Sequence, residues 1–130
     1  MLNAPDEDAT KQLKSILRDL SNRSPILGAA IFSVEGLPLV SYFHAGIEEA
    51  SIAAMVASIQ SVGELAVKEL RQGDLKSIII QGTLGTTVVI SIPDSYLLAV
   101  TAPENVKLGL VFNDAKVYAK KMSGILRNLR

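Results

Sequence analysis

"SIAAMVASIQSVGELAVKEL", residues 51–70, is the stretch on which the reading of this chain turns. Ile52, Met55, Val56, Ile59, Val62, Ala66 and Leu70 recur at helical spacing and form an apolar seam. Much of the rest is Ala, Ser and Gly rather than the Lys and Glu of a solvated face. A helix with so few charges on its second side is expected to be covered there too. It is placed at residues 48–71, opened by Glu48 and Glu49, whose charge suits the helix dipole. "QGD" (72–74) stops it, with Gly73 as the left-handed residue beyond its end.

The composition agrees with a covered surface. The chain has 130 residues, 48% hydrophobic and 20% charged, which leaves few charges for the surface of one small domain. One domain, 1–130, follows from the length, with about 65–70% of its unfolded surface buried on folding. No uninterrupted apolar run reaches the ~18–20 residues of a membrane span. The acidic start "MLNAPDEDATKQ" lacks the apolar core of a secretory signal, so a cytoplasmic location is expected. With no cysteine, disulfides, thiolate chemistry and Cys-based metal sites are excluded. Thirteen basic residues balance thirteen acidic ones, which argues against tight nucleic-acid binding by phosphate neutralisation.

On the N-terminal side, Leu13, Ile16, Leu17 and Leu20 predict an amphipathic helix over 8–21, capped by Asp6 or Asp8. Residues 1–5 are expected to be loose, the flexible start reaching no further than residue 7. "SNRSP" (21–25) ends the helix, because the residue before proline avoids helical dihedrals. "ILGAAIFSVEGLPLVSYF" (26–43) then reads as two strands around a turn at Glu35-Gly36. The first is apolar on both faces and suits the sheet interior. The second carries Pro38, which cannot donate to a ladder and belongs at an edge.

Beyond the long helix come "LKSIIIQ" (75–81), "TTVVISI" (86–92) and "YLLAVTA" (96–102), joined by the turn sequences "GTLG" and "PDS". Short joins imply an antiparallel meander. A last helix over 106–129 follows, striped by Leu108, Val111, Ala115, Tyr118, Met122 and Leu126 and weakened at Gly124. The fold class is α+β, in the order α-β-β-α-β-β-β-α, with one five-stranded antiparallel sheet between helices. If Pro38 marks one edge, the strand after the long helix is the other. That strand is β-branched and guarded only by Lys76, so it would template pairing with another chain. A second copy on a two-fold axis would cover both this edge and the uncharged helix.

The element order, the "FSVEGLPLVS" hairpin with Gly36, the Ala/Ser-rich middle helix and "YLLAVTAPENVKLGLV" with Gly109 resemble the Roadblock/LC7 family, from about residue 8 to 129. The resemblance implies a profilin-like layering. It further implies a homodimer in which the strands after the middle helix pair into one ten-stranded sheet, with the two middle helices side by side. Carried over, Leu75, Lys76, Ser77, Ile78, Ile79, Ile80 and Gln81 would form the pairing strand. Ala50, Ala54, Ala57, Ser58, Ser61 and Leu65 would lie at the helix–helix contact or on the platform that meets a partner. Family members bind small Ras-like GTPases, so such a GTPase is the implied partner and no cofactor is implied.

Catalysis finds little support. His44 is the single histidine, in "FHAG", with no second ligand-type residue at metal spacing. "GTLGTT" (82–87) lacks the lysine and following helix of a phosphate-binding loop. Asp6/Asp8 and Glu48/Glu49 open helices, where a dipole role suffices. Ser15, Ser51, Ser91 and Ser95 lack the G-x-S-x-G context of a nucleophile. Arg23, Arg71, Arg127 and Arg130 are candidate arginine fingers, but the resemblance implies action by rearranging the GTPase instead. Lys116, Lys120, Lys121, Arg127 and Arg130 make the last helix basic, suiting its dipole or an acidic partner or lipid headgroups. The expected function is a non-enzymatic regulator or scaffold of a small Ras-like GTPase. The alternative is a structural dimerising adaptor, indifferent to the nucleotide state. A small-molecule sensor is a third class, weakened by the 5% aromatic content.

Overall fold

Gly36 turns the chain at φ 93°, a left-handed conformation that side chains resist. Its N–H donates to Ser33 O at 3.0 Å, and the Ser33 N–H donates to Leu37 O at 2.9 Å. The Leu37 N–H in turn donates to Ser33 Oγ at 3.1 Å, which locks the hairpin. The strands on either side are β1 (Gly28–Ser33) and β2 (Pro38–Phe43), antiparallel with a bulge that pairs Phe32 with Pro38 and Ile31 with Val40. The computed structural model describes residues 7–43, 48–93 and 95–129. Asp6, His44, Asp94 and Arg130, and the loose start expected over 1–5, lie outside the described residues.

The remaining elements are α1 (Glu7–Arg23), α2 (Glu49–Glu69), β3 (Ser77–Gln81), β4 (Gly85–Ile92), β5 (Tyr96–Pro103) and α3 (Leu108–Arg127). This is the order read from the sequence. One antiparallel sheet runs β2-β1-β5-β4-β3. Pro38 opens one edge strand, and β3 is the other. All six residues of β1 are buried, as its two-sided apolar pattern requires.

α1 and α3 share one face of the sheet. Leu13, Leu17 and Leu20 meet Val111, Ala115, Met122 and Leu126 over Ile31, Val88, Leu98 and Val100 in the larger core. α1 lies over β1 and β2, and α3 over β4 and β5. The Tyr118 hydroxyl donates to Asp19 Oδ2 at 2.6 Å and ties the two helices together. Burial raises the Tyr118 pKa above its ordinary 10.0, and the hydrogen bond to the Asp19 carboxylate adds to the rise.

α2 alone covers the other face, over a smaller cluster of Ala30, Phe32, Val89, Leu97 and Ala99. It buries only Ala53, Val56 and Gln60. Of the seam expected to face the core, Val56 is buried, whereas Met55, Val62 and Leu70 are 52%, 68% and 66% exposed. The physical reason is that both sides of this helix are apolar, so periodicity could not say which side meets the sheet. The narrower side won, because small residues let α2 approach closely. A Cβ built on Gly63 would stand 2.9 Å from Leu75 Cδ2 and 3.0 Å from Ile78 Cδ1.

The end of α2 also differs from expectation. The left-handed residue just past it is Arg71, at φ 57°, with Gly73 following at φ 86°. The Arg71 N–H donates to Lys68 O at 3.1 Å and the Gln72 N–H to Val67 O at 2.7 Å, the paired bonds of a Schellman stop.

Two outcomes follow from this packing. Gly63→Val should wedge α2 away from β3 and cost about 1–3 kcal/mol in urea unfolding; unchanged stability would mean the helix has room to spare. The Tyr118 proton is held to higher pH in the folded chain than in the unfolded one, so stability should fall as pH rises beyond about 10. In Tyr118→Phe that alkaline loss should be shallower, as read from thermal unfolding between neutral pH and the alkaline limit.

Candidate interaction surface

β3 has a hydrogen-bonded neighbour on one side, β4, and its far side is free among the described residues. The expected pairing strand 75–81 is shorter in the structure. Leu75 and Lys76 precede β3, because Leu75 turns toward Gly63 of α2 while Lys76 O accepts a bond from the Ser91 N–H at 3.0 Å. Ser77, Ile78, Ile79, Ile80 and Gln81 form the strand itself. Ile78, opposite Val89, packs with the α2-side cluster, whereas Ile79 is opposite Val88, on the α1/α3 face. Alternation therefore puts Ile79 and Ile80 on opposite faces, 43% and 40% exposed.

α2 continues that open edge. Helical spacing sets Ile59, Val62 and Ala66 on the flank toward β3, and with Ser58, Gly63 and Ile78 they line an apolar groove of about 360 Å³. Ala54, Ser58, Ser61 and Leu65 lie outward, Leu65 being 58% exposed, and Ala50 is exposed near the start of the helix. The Ser58 hydroxyl donates to Ala54 O at 2.9 Å and the Ser61 hydroxyl to Ala57 O at 3.2 Å. Both hydroxyls are thus satisfied within the helix, which makes the face drier than its composition suggests. Ala57 sits apart from this group: its Cβ is 3.5 Å from where a Gly36 Cβ would stand, so it helps seat α2 on the hairpin. The structure brings Ser58 together with β3 at the groove and sets Ala57 on the opposite flank.

Gln60 was not singled out by its sequence context. It is 4% exposed, and its Nε2 donates to Ser91 Oγ at 3.0 Å and to Glu64 Oε1 at 3.2 Å, pinning α2 to β4. Its signal was a lone polar residue four positions after Val56 and seven after Ala53, on the side the sheet selected. Beside it opens a cavity of about 560 Å³, where Glu64, Lys68 and Asp74 are exposed among apolar Val67, Leu75 and Ile92. Glu49 accepts a hydrogen bond from the Ser41 hydroxyl, and Glu48 is the residue before the first turn of α2. The expected acidic pair is thereby used at the helix start. Among the described residues no three His, Cys, Asp or Glu side chains gather as a metal site would require.

By length and composition α2 could cross a membrane, with a mean hydropathy of 1.5 over an 18-residue window. No uninterrupted apolar run marked it as such. In this fold it lies along the sheet, its buried side on Phe32 and Val89.

A chain 24% identical over 110 residues, the uncharacterized protein MJ1340 of Methanocaldococcus jannaschii, aligns with 85% of this chain and 96% of its own length. Two solved structures share the fold. An MglB with a tetrameric arrangement has a TM-score of 0.90 at 17% identity, over 97% of this chain and 98% of its own. Myxococcus xanthus MglB has a TM-score of 0.89 at 14% identity, over 100% and 97%. The model of the Roadblock/LC7 domain matches residues 13–102, from α1 through all five strands, including the α2 face and the β3 edge. On that match the chain belongs to the Roadblock/LC7 family.

Proposed function

We propose that the protein is a non-enzymatic homodimeric regulator or scaffold of a small Ras-like GTPase, which it binds on the platform built by α2 and the sheet. The observation that carries the dimer is the continuity of two uncovered surfaces: the apolar groove along Ile59, Val62 and Ala66 opens directly beside the free edge of β3. A second copy on a two-fold axis would satisfy the strand edge by β-pairing and cover the helix seam in the same step. Burying Val62, Leu65 and Leu70, each more than half exposed, would contribute roughly 1 kcal/mol or more apiece. Membership of the Roadblock/LC7 family, with the MglB fold likeness beside it, supports the choice of a GTPase as partner. The outward residues of α2 and the dimer's broad sheet would supply the binding platform. The dimer would act by binding one nucleotide state better than the other and so shifting the population towards it, leaving any hydrolysis to the GTPase's own residues.

Light scattering behind size exclusion should give twice the 13.9 kDa chain mass, and Ile79→Lys or Val62→Glu should weaken the dimer by about tenfold or more while far-UV circular dichroism is unchanged. A concentration-independent monomer sinks the homodimer. Small Ras-like GTPases loaded with GDP or a non-hydrolysable GTP analogue should then bind with unequal affinity. Equal affinity in both states would make the protein a structural adaptor instead.

A further inference from the structure

On the face opposite α2, the end of the sheet near β3 is also left open. α3 lies over β4 and β5, and between it and the start of β3 runs a groove of about 620 Å³. Its floor is apolar: Ile90, Ile92 and Ala119 are 6%, 2% and 5% exposed. Its rim is basic. Lys116 and Lys120 stand on the α3 side and Lys76 on the other, with Asp74 the one acidic residue in the lining. The Lys116 ammonium lies over the Phe112 ring, 4.9 Å from its centre. Among the described residues the single ion pair is Lys11–Glu7, far along the chain from this site. Among the described residues none of the three rim lysines has a carboxylate within salt-bridge reach. α3 reinforces the imbalance, because no acidic residue follows Asp114 while Lys116, Lys120, Lys121 and Arg127 do.

In a chain of zero net charge, three unpaired lysines around an apolar trough are a local complement to something acidic and amphipathic. We propose that this groove docks an acidic amphipathic segment of another protein. Its apolar side chains would rest on Ile90, Ile92 and Phe112, and its carboxylates would meet Lys76, Lys116 and Lys120. The α3 wall from Phe112 to Ser123 is about 16 Å long at the helical rise, enough for about three turns of a docked helix. Concavity favours a peptide over a bilayer: a lipid surface needs apolar groups that protrude, whereas here they are recessed below the lysines. Long Lys stems also suit this use, since they cover the apolar walls while keeping their charge at the rim. The site goes beyond the GTPase reading: its α3 and β4 lining lies on the face of the sheet opposite α2, while Lys76 and Ser77 adjoin the β3 edge that self-pairing would use.

The test is fluorescence anisotropy with the full chain and three fluorescein-labelled peptides. One is a helical peptide with Leu and Phe on one face flanked by Glu; the second replaces each Glu by Lys; the third replaces each Leu and Phe by Ser. The first should bind about tenfold or more tightly than either of the others, and added salt should weaken it. The double variant Lys116→Glu/Lys120→Glu should lose about tenfold or more in that affinity, and Lys116→Gln/Lys120→Gln, which leaves the helix no new charge to accommodate, an intermediate amount. Val62→Glu, on the opposite face, should bind the peptide as the parent does even where it disrupts self-association. Binding that ignores the lysine substitutions, or a first peptide no better than the second, overturns the proposal. So does the reverse pattern, in which the lysine variants lose co-sedimentation with phosphatidylserine-rich vesicles while the acidic peptide never binds; the patch would then face lipid.

Discussion

β1 is buried on both faces, and β5 nearly so, which obliges the chain to lay helices on both sides of its sheet. Geometry limits how well it can do so. Five strands set their outer axes about 19 Å apart, and a helix with its side chains is about 10 Å wide. On one side α1 and α3 lie next to each other and can nearly span that width. On the other side the chain has only α2, which can shield about half of it. The central strands take priority, since exposing Phe32 or Leu97 would forfeit about 2 kcal/mol each, and the deficit falls on the edge at β3.

The composition of α2 follows from that shortage. To seat one helix over the strand centre it must come close, so the side that meets the sheet is built of Ala53, Val56 and Gln60 with Gly63 at the nearest approach. Larger apolar residues, Met55, Val62 and Leu65, are then left facing away from the sheet. Among the described residues, that exposed seam lies beside a strand with one hydrogen-bonded neighbour. Membership of the Roadblock/LC7 family gives this incompleteness a natural meaning, because a self-paired sheet would turn both deficits into one interface. On the opposite face, where α1 and α3 lie side by side, the lysine-rimmed trough runs between α3 and the start of β3.

Much of this architecture is legible in the sequence. The element order came from short turn sequences between β-branched runs, and the sheet edges from Pro38 and from the unguarded "SIIIQ". The Gly36 turn was visible because few other residues accept its dihedral. The sequence points to α2 and the strand after it as the candidate surface, and the structure sets those residues on several different flanks of α2. Helix periodicity ranks faces by hydrophobicity, and in α2 the apolar seam is split between the sheet at Val56, the flank toward β3 at Ile59 and Ala66, and the outward side at Met55. Arg71 in a left-handed stop went unseen for a similar reason: propensity favours Gly73 nearby, and the paired hydrogen bonds that select Arg71 exist only once the helix has formed.

Local chemistry by itself determined where this chain bends, which segments are strands or helices and which strands can tolerate an edge, because those choices depend on backbone dihedrals and on the missing amide of proline. The chain's composition, 48% hydrophobic and 20% charged, also leaves few charges for the surface. Only the tertiary structure decided which side of α2 is hidden, that Gln60 and Ser91 join helix to sheet, and that Lys76 meets two lysines of α3 around one trough. Those outcomes depend on distances between residues remote in sequence, such as Gly63 against Ile78 or Lys76 across from Lys120, and no pattern along the chain encodes a distance across it.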